Sequence, residues 1–143
     1  MKQALFFTII IFAFISVRAQ KTEVQYLSGP DKDHTVQWDF FCTHGMNSGK
    51  WSKIAVPSNW ELQGFGSYLY GNTNMDANEK GLYKYEFSVS KNWNKKRVFI
   101  VFEGSMTDTE VKINGKPAGA IHQGAFYQQL LIDPQQMLMG DLV

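Results

Sequence analysis

The chain has a single cysteine, Cys42. This excludes an intrachain disulfide, and with no second cysteine nearby and no motif that would lower its pKa, Cys42 is expected to be buried in a strand rather than to act as a reactive thiol. Charge of one sign is also missing. Fourteen Lys and Arg stand against thirteen Asp and Glu, for a net charge of +1, and the two signs are interleaved. Nothing here makes the electrostatic footprint of a nucleic-acid or anionic-membrane partner. The three histidines, His34, His44 and His122, share no ligand spacing, so a zinc site has no support. No stretch reads as a convincing amphipathic helix, and no cofactor is implied.

The one long apolar run is at the N-terminus. Met1-Lys2-Gln3 is a short basic start, and Ala4 to Val17 is apolar apart from Thr8 and Ser16. That run is too short to span a bilayer comfortably, and no stop-transfer charge cluster follows it. Val17 and Ala19 occupy the minus three and minus one positions of a secretory cleavage site. Residues 1–19 are therefore read as a signal peptide and the remainder as exported, periplasmic or secreted, with no membrane association after cleavage. About 124 residues then remain, enough for one domain and too few for a catalytic barrel of about 250.

Residues 20–35 are polar, carry the turn cluster Ser28-Gly29-Pro30-Asp31, and read as a lead-in with little structure. From Thr35 to Phe41, Val36, Trp38 and Phe40 alternate with Gln37 and Asp39, which is the period of a strand. Ile54 and Val56 belong to another strand, ended by Pro57, which has no N–H to donate. Tyr83, Tyr85, Phe87 and Val89 alternate with Lys84, Glu86 and Ser88. Val98 to Phe102 is apolar on both faces, as expected inside a sandwich. Val111 and Ile113 lead to Asn114-Gly115, the favoured pair for a type I′ hairpin, with a return strand over 118–121. Phe126, Gln128, Leu130 and Ile132 form one more. Six or seven short strands predict an all-β domain, and a β-sandwich would bury aromatics at this density.

The most particular stretch runs from Ile54 to Gly66. After the strand, Ser58-Asn59 is turn chemistry, Trp60 brings a large apolar body, and Gly64 and Gly66 flank Phe65 where positive φ is expected. Trp51 to Trp60 resembles the signature Trp…Ile-x-Val-Pro-x-Asn-Trp of the N-terminal sugar-binding domain of family 2 glycoside hydrolases, the β-galactosidase, β-glucuronidase and β-mannosidase group. Three further stretches resemble motifs of that family in the same order: Gly81 to Phe87, Trp93 to Gly104, and Val111 to Lys116. The resemblance covers about residues 36–133.

This resemblance implies a galactose-binding-like jelly roll over 36–143, incomplete at its C-terminus because further strands of the family's domain would follow Ile132. An unpaired edge left there implies marginal stability for the isolated product. It also implies a carbohydrate ligand and a catalytic barrel as partner, with both catalytic glutamates on that barrel, so that no catalytic residue maps onto this chain. Among its own acids, Glu61, Glu79, Glu103 and Glu110, no pair is forced together by sequence. Candidate sugar contacts are Trp60, Tyr68, Tyr70 and Asn72, since a sugar stacks on aromatic rings and hydrogen-bonds to amides. Tyr70-Gly71-Asn72 match a loop that, in the β-galactosidase branch, reaches the terminal sugar. The plainer reading, which the residues favour over a direct sugar contact, is that Trp60 is core and Asn72 only turns the chain. Asn72, Asn74, Asp76 and Asn78 have the alternate spacing of a calcium loop, but Ala77 and Tyr83 stand where its glycine and bidentate glutamate belong, and a polar loop is the better account. The expected function is a sugar-binding accessory domain that is not catalytic alone. Its rivals are a free-standing carbohydrate-binding module and a structural remnant of a truncated gene.

Overall fold

Period-two patterning puts Val36, Trp38, Phe40 and Cys42 on one face of a strand. The computed structural model, which describes residues 21–67, 79–105, 108–121 and 127–137, places them on the core side of β1 (Val36–Cys42), with Phe40 and Cys42 fully buried. The other strands are β2 (Trp51–Val56), β3 (Gly81–Lys84), β4 (Val98–Phe102), β5 (Thr109–Ile113), β6 (Lys116–Ile121) and β7 (Gln128–Ile132). Short 3-10 turns occur at Glu61–Gln63 and Lys91–Lys95, and a one-turn helix, α1, at Pro134–Met137. The fold is all-β. No helix among the described residues is long and apolar enough to cross a membrane.

The described strands pair antiparallel in three ladders, of order β2-β1-β3, β4-β7 and β5-β6. In the first, Trp38 lies opposite Ile54, and Phe40 lies opposite Ser52 on one side and Tyr83 on the other. Phe40 is packed by Trp60, Phe65 and Tyr83, at ring-centroid separations of 5.5, 4.9 and 4.7 Å. Phe40, Cys42, Ile54 and Phe65 make the buried cluster, with Trp38, Val56 and Trp60 packed against it. The β5–β6 hairpin turns at Asn114-Gly115 with φ of 53° and 72°, the doubly positive pair that a type I′ turn needs.

Two strands differ from their sequence pattern. The alternation from Tyr83 to Val89 predicts one strand, but the ladder on β1 stops at Lys84. Beyond it Tyr85, Phe87 and Val89 stay half-buried and Glu86, Ser88 and Ser90 exposed, so the alternation persists without a backbone partner. Tyr85 instead stacks its ring on Trp38, 4.9 Å away and 12° from parallel. Strand β4 reads as buried on both faces, yet Val98 is buried while Phe99 and Val101 are 40% and 45% exposed, so the face they share is open, with the Arg97 guanidinium over the Phe99 ring.

The lead-in contains no regular element before residue 31, but it is tied across the molecule. Trp93 and Lys96 donate to the Glu23 carboxylate at 2.8 and 2.6 Å, and Gln25 donates to the Ser88 carbonyl at 3.0 Å. The Trp38 indole donates to the Leu27 carbonyl at 2.9 Å, and the Gly29 amide to the Val56 carbonyl at 3.0 Å. The Lys96 ammonium and then the Trp93 indole hold the Glu23 carboxyl below the usual carboxylate range.

Packing around Phe40 sets the first prediction. Phe40→Ala is expected to cost about 3–5 kcal/mol in urea unfolding, since the surrounding rings cannot close the cavity fully. Gly81 leaves no room for a methyl group: a Cβ there would collide with the Trp60 ring and come within 2.8 Å of Phe40. Gly81→Ala is therefore expected to destabilise by about 1–3 kcal/mol through overpacking. Near wild-type stability in both variants would show that this cluster does not hold the domain.

Candidate functional site

The loop between β2 and β3 is built from its first residue by local chemistry. Pro57 ends β2, and the chain enters a 3-10 turn in which the amides of Gln63 and Phe65 both donate to the Trp60 carbonyl, at 3.0 and 3.1 Å. Gly64 and Gly66 then take φ of 84° and 71°, the left-handed region that an L side chain enters only with strain. Those two turns aim Phe65 inward, where it is 7% exposed.

Both ends of the following segment are fastened to one turn, residues 43–47. Met46 and Gly66 exchange backbone hydrogen bonds of 2.8 and 3.0 Å, and the Asn47 side-chain amide donates to the Gly64 carbonyl at 2.8 Å. On the far side, the Lys80 amide donates to Thr43 Oγ1 at 2.8 Å and the Thr43 amide to the Lys80 carbonyl at 3.0 Å. Glu79 joins the two ends: its Oε2 accepts the Ser67 amide at 3.1 Å. The described chain on either side of residues 68–78 is thus held by one hydrogen-bonded base.

Of the residues expected to contact a sugar, Trp60 is half-buried against Phe40 and over the backbone of Gly81. Its ring packs on the aromatic cluster. Tyr68, Tyr70 and Asn72 lie outside the described residues, as do Asn74, Asp76 and Asn78. Glu79 and the 43–47 turn carry no sequence signal for their role. The Glu79 carboxylate reaches a backbone amide twelve residues earlier, a contact that no local spacing announces.

Among the described residues no group of three or more His, Cys, Asp or Glu could hold a metal ion. Tyr83 is 40% exposed, yet its ring lies against Phe40 and edge-on to Trp38. Burial pushes its phenol up to about 12, helped by the negative charge of Glu61 and then by Cys42.

Two outcomes follow. Glu79→Ala is expected to speed hydrogen exchange of the Ser67 amide severalfold while costing less than about 1 kcal/mol of global stability, and Glu79→Gln, which keeps an acceptor, should stay near wild type. For Tyr83, the folded state holds its proton more tightly than the unfolded chain. Its contribution to stability is therefore complete below about pH 10 and is lost as pH rises from there toward 12. Urea unfolding over that window should show a shallower alkaline loss for Tyr83→Phe than for wild type, and equal slopes would contradict the assignment.

Comparison with known proteins places part of this chain beside one group of enzymes. It is 33% identical over 82 residues to a β-galactosidase of Pseudoalteromonas haloplanktis, covering 50% of this chain. With the β-galactosidase of Psychromonas ingrahamii the identity is 27% over 93 residues and 58% of this chain, and with that of Alteromonas mediterranea 34% over 80 residues and 49%. In each case the matched part is 8% of the relative's own length. No protein-family model matches the chain, and neither does any solved structure. Over about half its length, then, the chain is partially similar to a short stretch of several β-galactosidases.

Proposed function

We propose that this chain is a sugar-binding, non-catalytic domain of a family 2 glycoside hydrolase of the β-galactosidase type, built as a galactose-binding-like jelly roll. The observation that carries this reading is the similarity to β-galactosidases over 80 to 93 residues. The four motifs in family order, the antiparallel all-β fold and the fastened base of the 68–78 loop support it. In that role the loop, mounted on Ser67 and Glu79, carries Tyr70 and Asn72 to a terminal sugar. The ring stacks on the apolar face of the sugar and the amide pairs with its hydroxyls. The catalytic glutamates belong to a barrel partner, so hydrolysis would be a property of the assembled enzyme. Export to the periplasm or medium, inferred from residues 1–19, suits a protein that meets oligosaccharides outside the cytoplasm.

Titration of the chain with lactose and other β-galactosides tests this. Wild type is expected to bind, and Tyr70→Ala and Asn72→Ala to weaken binding about tenfold each with little change in melting temperature. Trp60→Ala should instead lose stability, as expected of a ring packed on Phe40. Aryl β-galactosides should not be turned over by the chain alone. Failure to bind any β-galactoside would overturn the proposal.

A further inference from the structure

The outer face of the three-stranded sheet departs from the polar pattern expected of a solvated surface. Opposite the core, β1 presents Gln37, Asp39 and Phe41, and the register sets cross-strand rows on either side of them. Asp39 lies between Lys53 on β2 and Lys84 on β3. Phe41 lies between Trp51 and Leu82. The charged row is what water wants to see. The apolar row is not: Trp51 is 54% exposed and Leu82 47%, in a line across the sheet. Apolar groups clustered on a surface mark contact sites more often than they occur by chance.

The two rows are neighbours, two residues apart on β1, or about 7 Å at ~3.4 Å per residue. Trp51 and Phe41 hold their rings 5.6 Å apart at 52°, which makes a shallow trough rather than a flat plate. Next to it, a depression of about 240 Å³ is lined by Gln37, Asp39, Lys53, Lys84, Tyr85 and Glu86. That volume is below the ~300–1,000 Å³ typical of drug-sized ligands and suits a single small ring. On its wall Lys53 pairs with Asp39 at 2.7 Å. Lys84 sits 3.6 Å from Glu86, too far for a hydrogen bond, so a hydroxyl placed between them could pair with both.

Charge chooses among ligands. The two lysines are balanced by Asp39 and Glu86, so the depression has no net charge to draw an anion or a cation. It does offer donors and acceptors side by side, which is what a neutral polyol needs. We propose that this outer sheet face is a second carbohydrate-contact surface, taking a neutral oligosaccharide with one ring against Trp51 and Phe41 and the next in the depression between Asp39, Lys53 and Lys84. The ligand class rests on the carbohydrate function proposed above; the position is assigned from the sheet alone.

The test is a calorimetric titration of the full chain with neutral β-linked galacto-, gluco- and manno-oligosaccharides of one to six units. Affinity is expected to rise from one unit to two or three as both rows fill. Trp51→Ala and, separately, Lys84→Ala are expected to weaken the longer ligands about tenfold. Melting temperatures should hold, because both side chains project from the outer face. Lys84→Ala guards against any packing role of Trp51. Loss of all binding in Asn72→Ala with none in Trp51→Ala and Lys84→Ala would overturn the outer-face site and leave the carbohydrate function standing. Absence of binding to every saccharide by the wild-type chain would overturn both.

Discussion

Phe40 is the residue on which the three-stranded sheet and the loop after β2 lean. It sits in the central strand of the three-stranded sheet, fully buried, and the rings of Trp60, Phe65 and Tyr83 close around it. Burying a side chain of this size contributes roughly 1.5–3 kcal/mol, and each ring pair adds a geometric preference beyond area. Trp60 and Phe65 lie in the loop after β2, while Tyr83 lies in β3. One core residue therefore joins two strands to the loop that connects them, and Gly81 is the gap that lets Trp60 approach so closely.

That arrangement anchors the start of the loop after β2. Trp60 and Phe65 are committed to the aromatic cluster, and Gly64 and Gly66 to the turn. Gly64, Gly66 and Lys80 are held by hydrogen bonds to the 43–47 turn, and the Ser67 amide by the Glu79 carboxylate. The partial similarity to β-galactosidases runs over a stretch that is a small fraction of those enzymes. The outer sheet face adds a different kind of surface, in which the register of three strands assembles rows that no one strand contains.

Much of the local structure was legible in the residues. Alternation located the cores of β1 and β7, a continuous apolar run located β4, Pro57 marked the end of β2, and Asn114-Gly115 specified its hairpin, because each of these is a constraint within a few residues of chain. Cys42 was expected in a buried strand position and lies in one. Where the sequence pattern misled, a partner was involved. Tyr85 to Val89 keep the alternation of a strand without the ladder, since alternation reports which side chains find cover and not where a backbone partner runs. Phe99 and Val101 are apolar but exposed, because cover depends on what else packs there.

The sequence by itself determined the all-β class, the end of β2 at Pro57, the Asn114-Gly115 hairpin and the positive-φ glycines of the Trp60 loop. All of these depend on short-range sterics, hydrogen-bonding capacity and period. Only the tertiary structure decided that Glu79 reaches back to Ser67, that a polar lead-in ties Glu23 to Trp93 and Lys96 some seventy residues away, and that Trp51, Phe41 and Leu82 form one row. These are contacts between residues far apart in the chain. Register and docking create them, and neither is written in any window of sequence short enough to read locally.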